Sequence, residues 1–208
     1  MDLKSLQPPP PNKADQLFTC DEGLTNASIA NSSSEYSSFS YRYGYRRAGK
    51  ILAEWAASNG EASHLVFPIC FVYRHYVELT LKRLIALGCG IANRRMAEGE
   101  TRVVSKHDLR KLWNTFRAVE VEVINKTGGN PRPPEDMEGI EAYIDQLHTS
   151  DQGSYSFRYA VGKSGDATLG GVKHINLLHF AQCMECLCEY LQGFDTYYCY
   201  LANMDAES

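Results

Sequence analysis

The sequence predicts an all-α fold, a bundle of about five helices with a long loop before the last one. Two observations carry this. Apolar residues recur at three- and four-residue steps in successive stretches separated by Gly, Pro and polar clusters. One of those stretches, Phe67 to Leu87, is apolar on nearly all sides yet holds Arg74, His75, Glu78, Lys82 and Arg83. A central helix keeps that many charges only if neighbouring elements supply partners.

Residues 1–36 read as a flexible leader ahead of a helical domain at 37–208. The leader contains the run Pro8 to Pro11 and a Ser/Asn-rich segment from Asn26 to Ser38. Such a composition buries too little apolar surface to offset its ordering entropy. The first helix is expected at about 40–58. Tyr41, Tyr45, Ala48, Ile51, Leu52 and Trp55 form its apolar stripe, and Asn59-Gly60 ends it. Arg42, Arg46, Arg47 and Lys50 fall largely away from that stripe. They form either a solvated basic face or, with Tyr41, Tyr43 and Tyr45 between them, a surface for phosphates and stacked bases.

The second helix is expected at about 66–87, with Pro68 in its first turn and Gly88 as its C-cap. A polar loop holding Arg94 and Arg95 then leads to a third helix. That helix opens on Ser105-Lys106-His107-Asp108, read as a capping box with Ser105 as the cap. Leu109, Leu112, Trp113 and Phe116 mark its buried face. The fourth helix, about 135–148, carries Met137, Ile140, Tyr143, Ile144 and Leu147 on one stripe and begins with acidic residues, as the helix dipole favours. The loop from Thr149 to Gly171 is long enough to suggest a functional role. Within it the alternation of Tyr155, Phe157 and Tyr159 suggests a short hairpin or extended segment. The last helix starts near Val172 or His174 and reaches about Leu201, with Ile175, Leu178, Ala181, Leu187, Leu191 and Phe194 as core candidates.

Composition narrows the functional classes. The chain has 208 residues, 44% hydrophobic and 22% charged, with a net charge of −4. Any nucleic-acid contact must therefore come from a local basic patch. No uncharged apolar run of about eighteen residues is present, so no membrane is expected as a partner. The odd count of seven cysteines, several on apolar helical faces, fits reduced thiols in a cytoplasmic protein. Cys183, Cys186 and Cys188 cannot direct three thiolates to one point from a single helix, so they are read as packing or interface thiols. Gly162-Lys163-Ser164-Gly165 lacks the upstream glycine and the preceding strand of a phosphate loop. No cofactor and no metal are expected.

Three motifs in order resemble the HEPN superfamily of all-α domains. Tyr73 to Ile85, YRHYVELTLKRLI, carries the Glu and Lys of that family's helix as Glu78 and Lys82. Ser105, His107, Asp108 and Leu109 are similar to its Thr/Ser-x-His-Asp-Leu helix start. Tyr155, Arg158 and Tyr159 resemble its Tyr-x-x-Arg-Tyr-Pro loop, with Ala160 in place of the proline. The resemblance spans 66–201. It implies an antiparallel bundle, commonly a homodimer, that works in prokaryotic defence or toxin–antitoxin modules. Such a domain is an RNA- or nucleotide-interacting component, a metal-independent ribonuclease, or a non-catalytic partner of a protein from the same operon. The ribonuclease branch pairs an arginine with a histidine a few residues later, the arginine holding phosphate and the histidine moving a proton. Arg102 and His107 match that spacing, although they precede the third predicted helix. The residues expected to form a site are thus Arg102, His107 and Arg158 for chemistry, with Arg74, Glu78, Lys82, Asp108 and Tyr159 for binding.

Arg74, Glu78 and Lys82 share one stripe of the second helix. They form either an intrahelical salt-bridge ladder or one wall of a cleft facing His107, Asp108 and Arg158. Dimer contacts are expected from the second helix or from Tyr197, Tyr198 and Tyr200.

Overall fold

The computed structural model describes residues 35–159, 169 and 172–206. Among these the chain forms six helices and no strand: α1 Glu35–Asn59, α2 Ala62–Ile91, α3 Glu98–Val104, α4 Leu109–Thr127, α5 Pro134–Ser150 and α6 Leu177–Ala206. The all-α expectation holds, with one helix more than anticipated. No helix among the described residues is long and apolar enough to cross a membrane. Of the expected leader only Glu35 and Tyr36 are described, and they begin α1. The segment Gly162 to Gly165 lies outside the described residues.

α2 is the central rod. Ile69, Tyr73, Val77, Leu81, Leu84 and Ile85 are all solvent-free, because α1, α4 and α6 pack around them. The helix begins earlier and ends later than its sequence markers suggest. Pro68 lies inside it rather than in the first turn, and the chain leaves it at Ala92, whose N–H bonds Gly88 O at 2.8 Å. Gly88 is a buried contact point instead of a cap. A Cβ there would meet Val119 Cγ1 at 2.4 Å and Tyr198 Cε2 at 3.1 Å.

α1 meets the bundle with only part of its expected stripe: Tyr45 and Leu52 pack against the core. Tyr41, Ile51 and Trp55 point outward, while Ala53 and Ala56 are buried. Gly49 comes so close to α2 that a Cβ would touch the Tyr73 ring at 2.8 Å. Small residues let the backbones approach, and that outweighs burial of the larger side chains. Arg42 also turns inward and is almost fully buried, because Asp195 on α6 receives it at 3.0 Å. The other oxygen of Asp195 accepts from Arg83 Nε on α2 at 2.7 Å. One carboxylate therefore ties three helices.

The expected polar loop contains α3. Its first turn carries Glu98 and Glu100, and Glu100 accepts from the Ala97 N–H at 2.7 Å. Arg94 grips Glu100 through both terminal nitrogens at 2.8 Å and also pairs with Glu122 of α4. Ser105 closes α3 rather than opening α4, donating its hydroxyl to Arg102 O at 2.9 Å. Asp108 is the N-cap of α4, accepting from the Lys111 N–H at 3.0 Å. From there Leu109, Leu112, Trp113 and Phe116 enter the core as expected, and Gly128 ends the helix in the left-handed conformation at φ 67°.

α5 buries Met137, Ile140, Ile144 and Leu147, the expected stripe with Tyr143 at its margin. The segment after it is not extended. Arg158 and Tyr159 both donate their N–H groups to Tyr155 O, a single helical turn that stacks the Tyr155 and Tyr159 rings 4.4 Å apart. Phe157 is buried beneath it. α6 starts at Leu177, so Ile175 precedes it, and Leu178 faces solvent instead of the core. Tyr198 is buried, which removes it from the expected dimer surface and leaves Tyr197 and Tyr200 exposed.

Candidate functional site

The charges on α2 find their partners around Glu78. Its carboxylate is buried, and i, i+4 spacing brings Arg74 Nη1 to Oε2 at 2.9 Å and Lys82 Nζ to Oε1 at 2.9 Å. His107, from the turn between α3 and α4, reaches the same Oε1 with Nδ1 at 2.7 Å. Burial alone would raise the Glu78 pKa, but hydrogen bonds from Lys82, His107 and Arg74 outweigh it and hold the group below the ordinary carboxylate range. A charged carboxylate only accepts, so Nδ1 of His107 carries the proton and Nε2 is the basic nitrogen of the neutral ring.

Arg74 is the organising cation. It has no solvent exposure and donates to His107 O at 2.6 Å and to Asp151 O at 3.2 Å. Its Nε also lies 3.1 Å from Asp151 Oδ2. The other oxygen of Asp151 accepts the N–H groups of Tyr155 at 2.6 Å and Ser156 at 2.9 Å. Asp151 thereby starts the turn that presents Arg158 and Tyr159. Sequence reading missed it; its signal was an Asp directly after a helix with its polar neighbours in the long loop. Arg74 and Lys82 balance Glu78 and Asp151, so the network carries no surplus positive charge.

The remaining expected site residues lie around this network without converging. Arg102 pairs with Glu98 one turn back on α3 rather than with His107. Asp108 is engaged as the α4 cap, with His148 Nδ1 at 3.5 Å. Arg158 donates to Ser154 O at 2.6 Å and spreads over the Phe71 and Tyr159 rings. The side chain of His107 is 53% exposed, which makes it the accessible member of the cluster.

A second candidate lies between α1 and α6. A cleft of about 360 Å³ is lined by Phe39, Tyr43, Arg42, Arg46, Arg47 and Lys50 from α1 and, across from them, Glu185, Gln192 and Asp195. Its deeper cations are committed. Arg42 holds Asp195, and Arg46 binds Glu185 Oε2 at 2.8 Å, Gln192 Oε1 at 2.6 Å and Glu189. Tyr73 fixes the other oxygen of Glu185 at 2.9 Å from the core side. At the rim Arg47 and Lys50 are exposed and form no ion pair among the described residues. Phe39 and Tyr43, each more than half exposed, stack with 5.7 Å between centroids.

Among the described residues no group of His, Cys, Asp and Glu could hold a metal ion. Cys183, Cys186 and Cys188 diverge around α6, from part-buried to exposed to buried. No protein-family model, curated protein or solved structure matches this chain.

Proposed function

We propose that this chain is a HEPN-like, RNA- or nucleotide-interacting component of a prokaryotic defence or toxin–antitoxin module, and that it takes its ligand along α1. The observation that carries the binding reading is the exposed Phe39–Tyr43 stack beside the uncommitted cations Arg47 and Lys50, at the mouth of a cleft. Aromatic faces take bases without needing a particular sequence, and adjacent cations hold the phosphates. The defence-module assignment rests on the resemblance carried by Glu78, Lys82, His107 to Leu109, and Tyr155 to Tyr159.

The test is fluorescence anisotropy of an end-labelled single-stranded RNA at low salt. Wild type should bind with strong salt dependence. Arg47→Glu and Lys50→Glu should each weaken binding and flatten the log–log salt slope by roughly 0.7 for every phosphate no longer neutralised. Absence of binding at low salt, or equal binding by the charge-reversal variants, overturns this reading and favours a partner-binding scaffold.

A second reading is favoured by one geometric fact, the exposed imidazole anchored through Nδ1 to a buried carboxylate. Metal-independent RNA cleavage would use His107 as general acid/base. RNA incubated with the protein in EDTA is then cleaved by wild type and spared by His107→Ala. Cleavage that survives in His107→Ala excludes this role.

A further inference from the structure

A cleft of about 430 Å³ is lined by residues of α5 and α6, by described residues between them and by Cys70 of α2. That is within the range of small-molecule sites. Its walls are largely apolar, with Leu147, Phe157, Val172, Ile175, Phe180 and Met184 among them. One chemically active group lines it. Cys183 on α6 has His179 one turn earlier, with Nε2 at 3.6 Å from the sulfur, and Tyr143 of α5 lines the same cleft.

The other described thiols lie in different surroundings. Cys188 is enclosed by core and Cys89 is buried beside Glu100, and burial pushes the pKa of both up. Cys70 borders the same cleft but is buried, which pushes its thiol up to about 12. Cys186 is exposed and lines a neighbouring pocket with Tyr190, and Cys199 lies against Arg83 at 3.3 Å, outside the cleft. Only Cys183 among them combines a base within reach with an adjoining apolar cleft. The base activates the thiol, and the cleft selects what it meets.

We propose that the α5–α6 cleft is a covalent binding site for apolar α,β-unsaturated carbonyl compounds, with Cys183 as nucleophile and His179 as its base. The Cys183 S–H proton passes to His179 as the sulfur adds to the β-carbon. The carbon–carbon π pair moves onto the carbonyl as an enolate, and the proton held by His179 is returned at the α-carbon. The product is a thioether with the carbonyl restored, and no oxidant, reductant or leaving group is involved.

The test uses the full chain, trans-2-nonenal as the apolar probe and iodoacetamide as a small unguided one, with each cysteine followed by peptide mass spectrometry. Nonenal should modify Cys183 first, at a rate that saturates with its concentration, even though Cys186 is more exposed. His179→Ala should slow the reaction by roughly tenfold or more, through loss of the base that takes the S–H proton. Val172 lies at the cleft and is already exposed, so Val172→Glu should raise the half-saturating nonenal concentration and leave iodoacetamide labelling of Cys183 unchanged. Equal or faster reaction at Cys186 or Cys199 overturns the proposal. So does a linear concentration dependence, an unchanged rate in His179→Ala, or an unchanged half-saturation in Val172→Glu.

Discussion

His107 Nδ1 lies 2.7 Å from Glu78 Oε1, so a half-exposed imidazole is anchored to a carboxylate that is itself buried. The two partners should respond differently to removal. Glu78→Gln leaves Arg74 buried beside a neutral amide and should cost about 3–5 kcal/mol, as is typical when one member of a buried pair is removed. His107→Ala removes one hydrogen bond at the surface and should cost about 1 kcal/mol. Urea unfolding of both variants measures the difference, and equal destabilisation would contradict the geometry.

Acid should act on the fold in two opposing ways. The Glu78 pKa is held below the ordinary 4.5, so its contribution is present above that pH and is lost as pH falls through the depressed value. Glu120 is the reverse case: burial raises its pKa, and pairing with Arg117 only partly offsets this. Its contribution is full below 4.5 and is lost as pH rises through the raised value. Glu120→Gln should therefore have a higher thermal midpoint than wild type at pH 7, with the gain disappearing by about pH 4. A lower midpoint at pH 7 would contradict this.

Gly88→Ala should destabilise the α2–α4 crossing by about 1–3 kcal/mol, because the new methyl group overlaps Val119. Val119→Ala added to it should recover part of that stability. Purely additive destabilisation in the double variant would show that this close approach does not set the spacing.

Asp151→Ala should loosen the segment that carries Arg158 and Tyr159. It removes the acceptor for the Tyr155 and Ser156 N–H groups and a partner of buried Arg74. Limited proteolysis should cut near 152–158 faster than in wild type, and unfolding should show a destabilisation of about 3 kcal/mol.

Elements whose stability comes from an apolar stripe were legible in the sequence. The buried faces of α4 and α5 followed directly from Leu109 to Phe116 and from Met137 to Leu147. α3 was not legible because it only partly buries Val103 and Val104, and its supports, Arg94 on Glu100 and Glu100 on the Ala97 N–H, leave no periodic signal. Tyr45 and Leu52 of the expected α1 stripe face the core, but Tyr41, Ile51 and Trp55 do not, because backbone approach at Gly49, Ala53 and Ala56 matters more than side-chain size. Glu78 and Lys82 share the stripe that their i, i+4 spacing dictates, and His107 reaches Glu78 from the turn between α3 and α4. Asp151 was missed because its role depends on Arg74, far away in the sequence. The Arg47–Lys50 surface was recognised as one of two readings, since a solvated basic face and a ligand face have the same composition.

Asp195 receives Arg42 from α1 on one oxygen and Arg83 from α2 on the other. A helix turns by about 100° per residue. If α1 slid by a single position, Arg42 would swing away from its acceptor and an uncharged neighbour would take its place. The close approach of Gly49 to the Tyr73 ring, which leaves no room for a Cβ, enforces the same alignment sterically. Asp195 thus acts as a molecular index mark: it selects the alignment in which Phe39, Tyr43, Arg47 and Lys50 come together at one cleft.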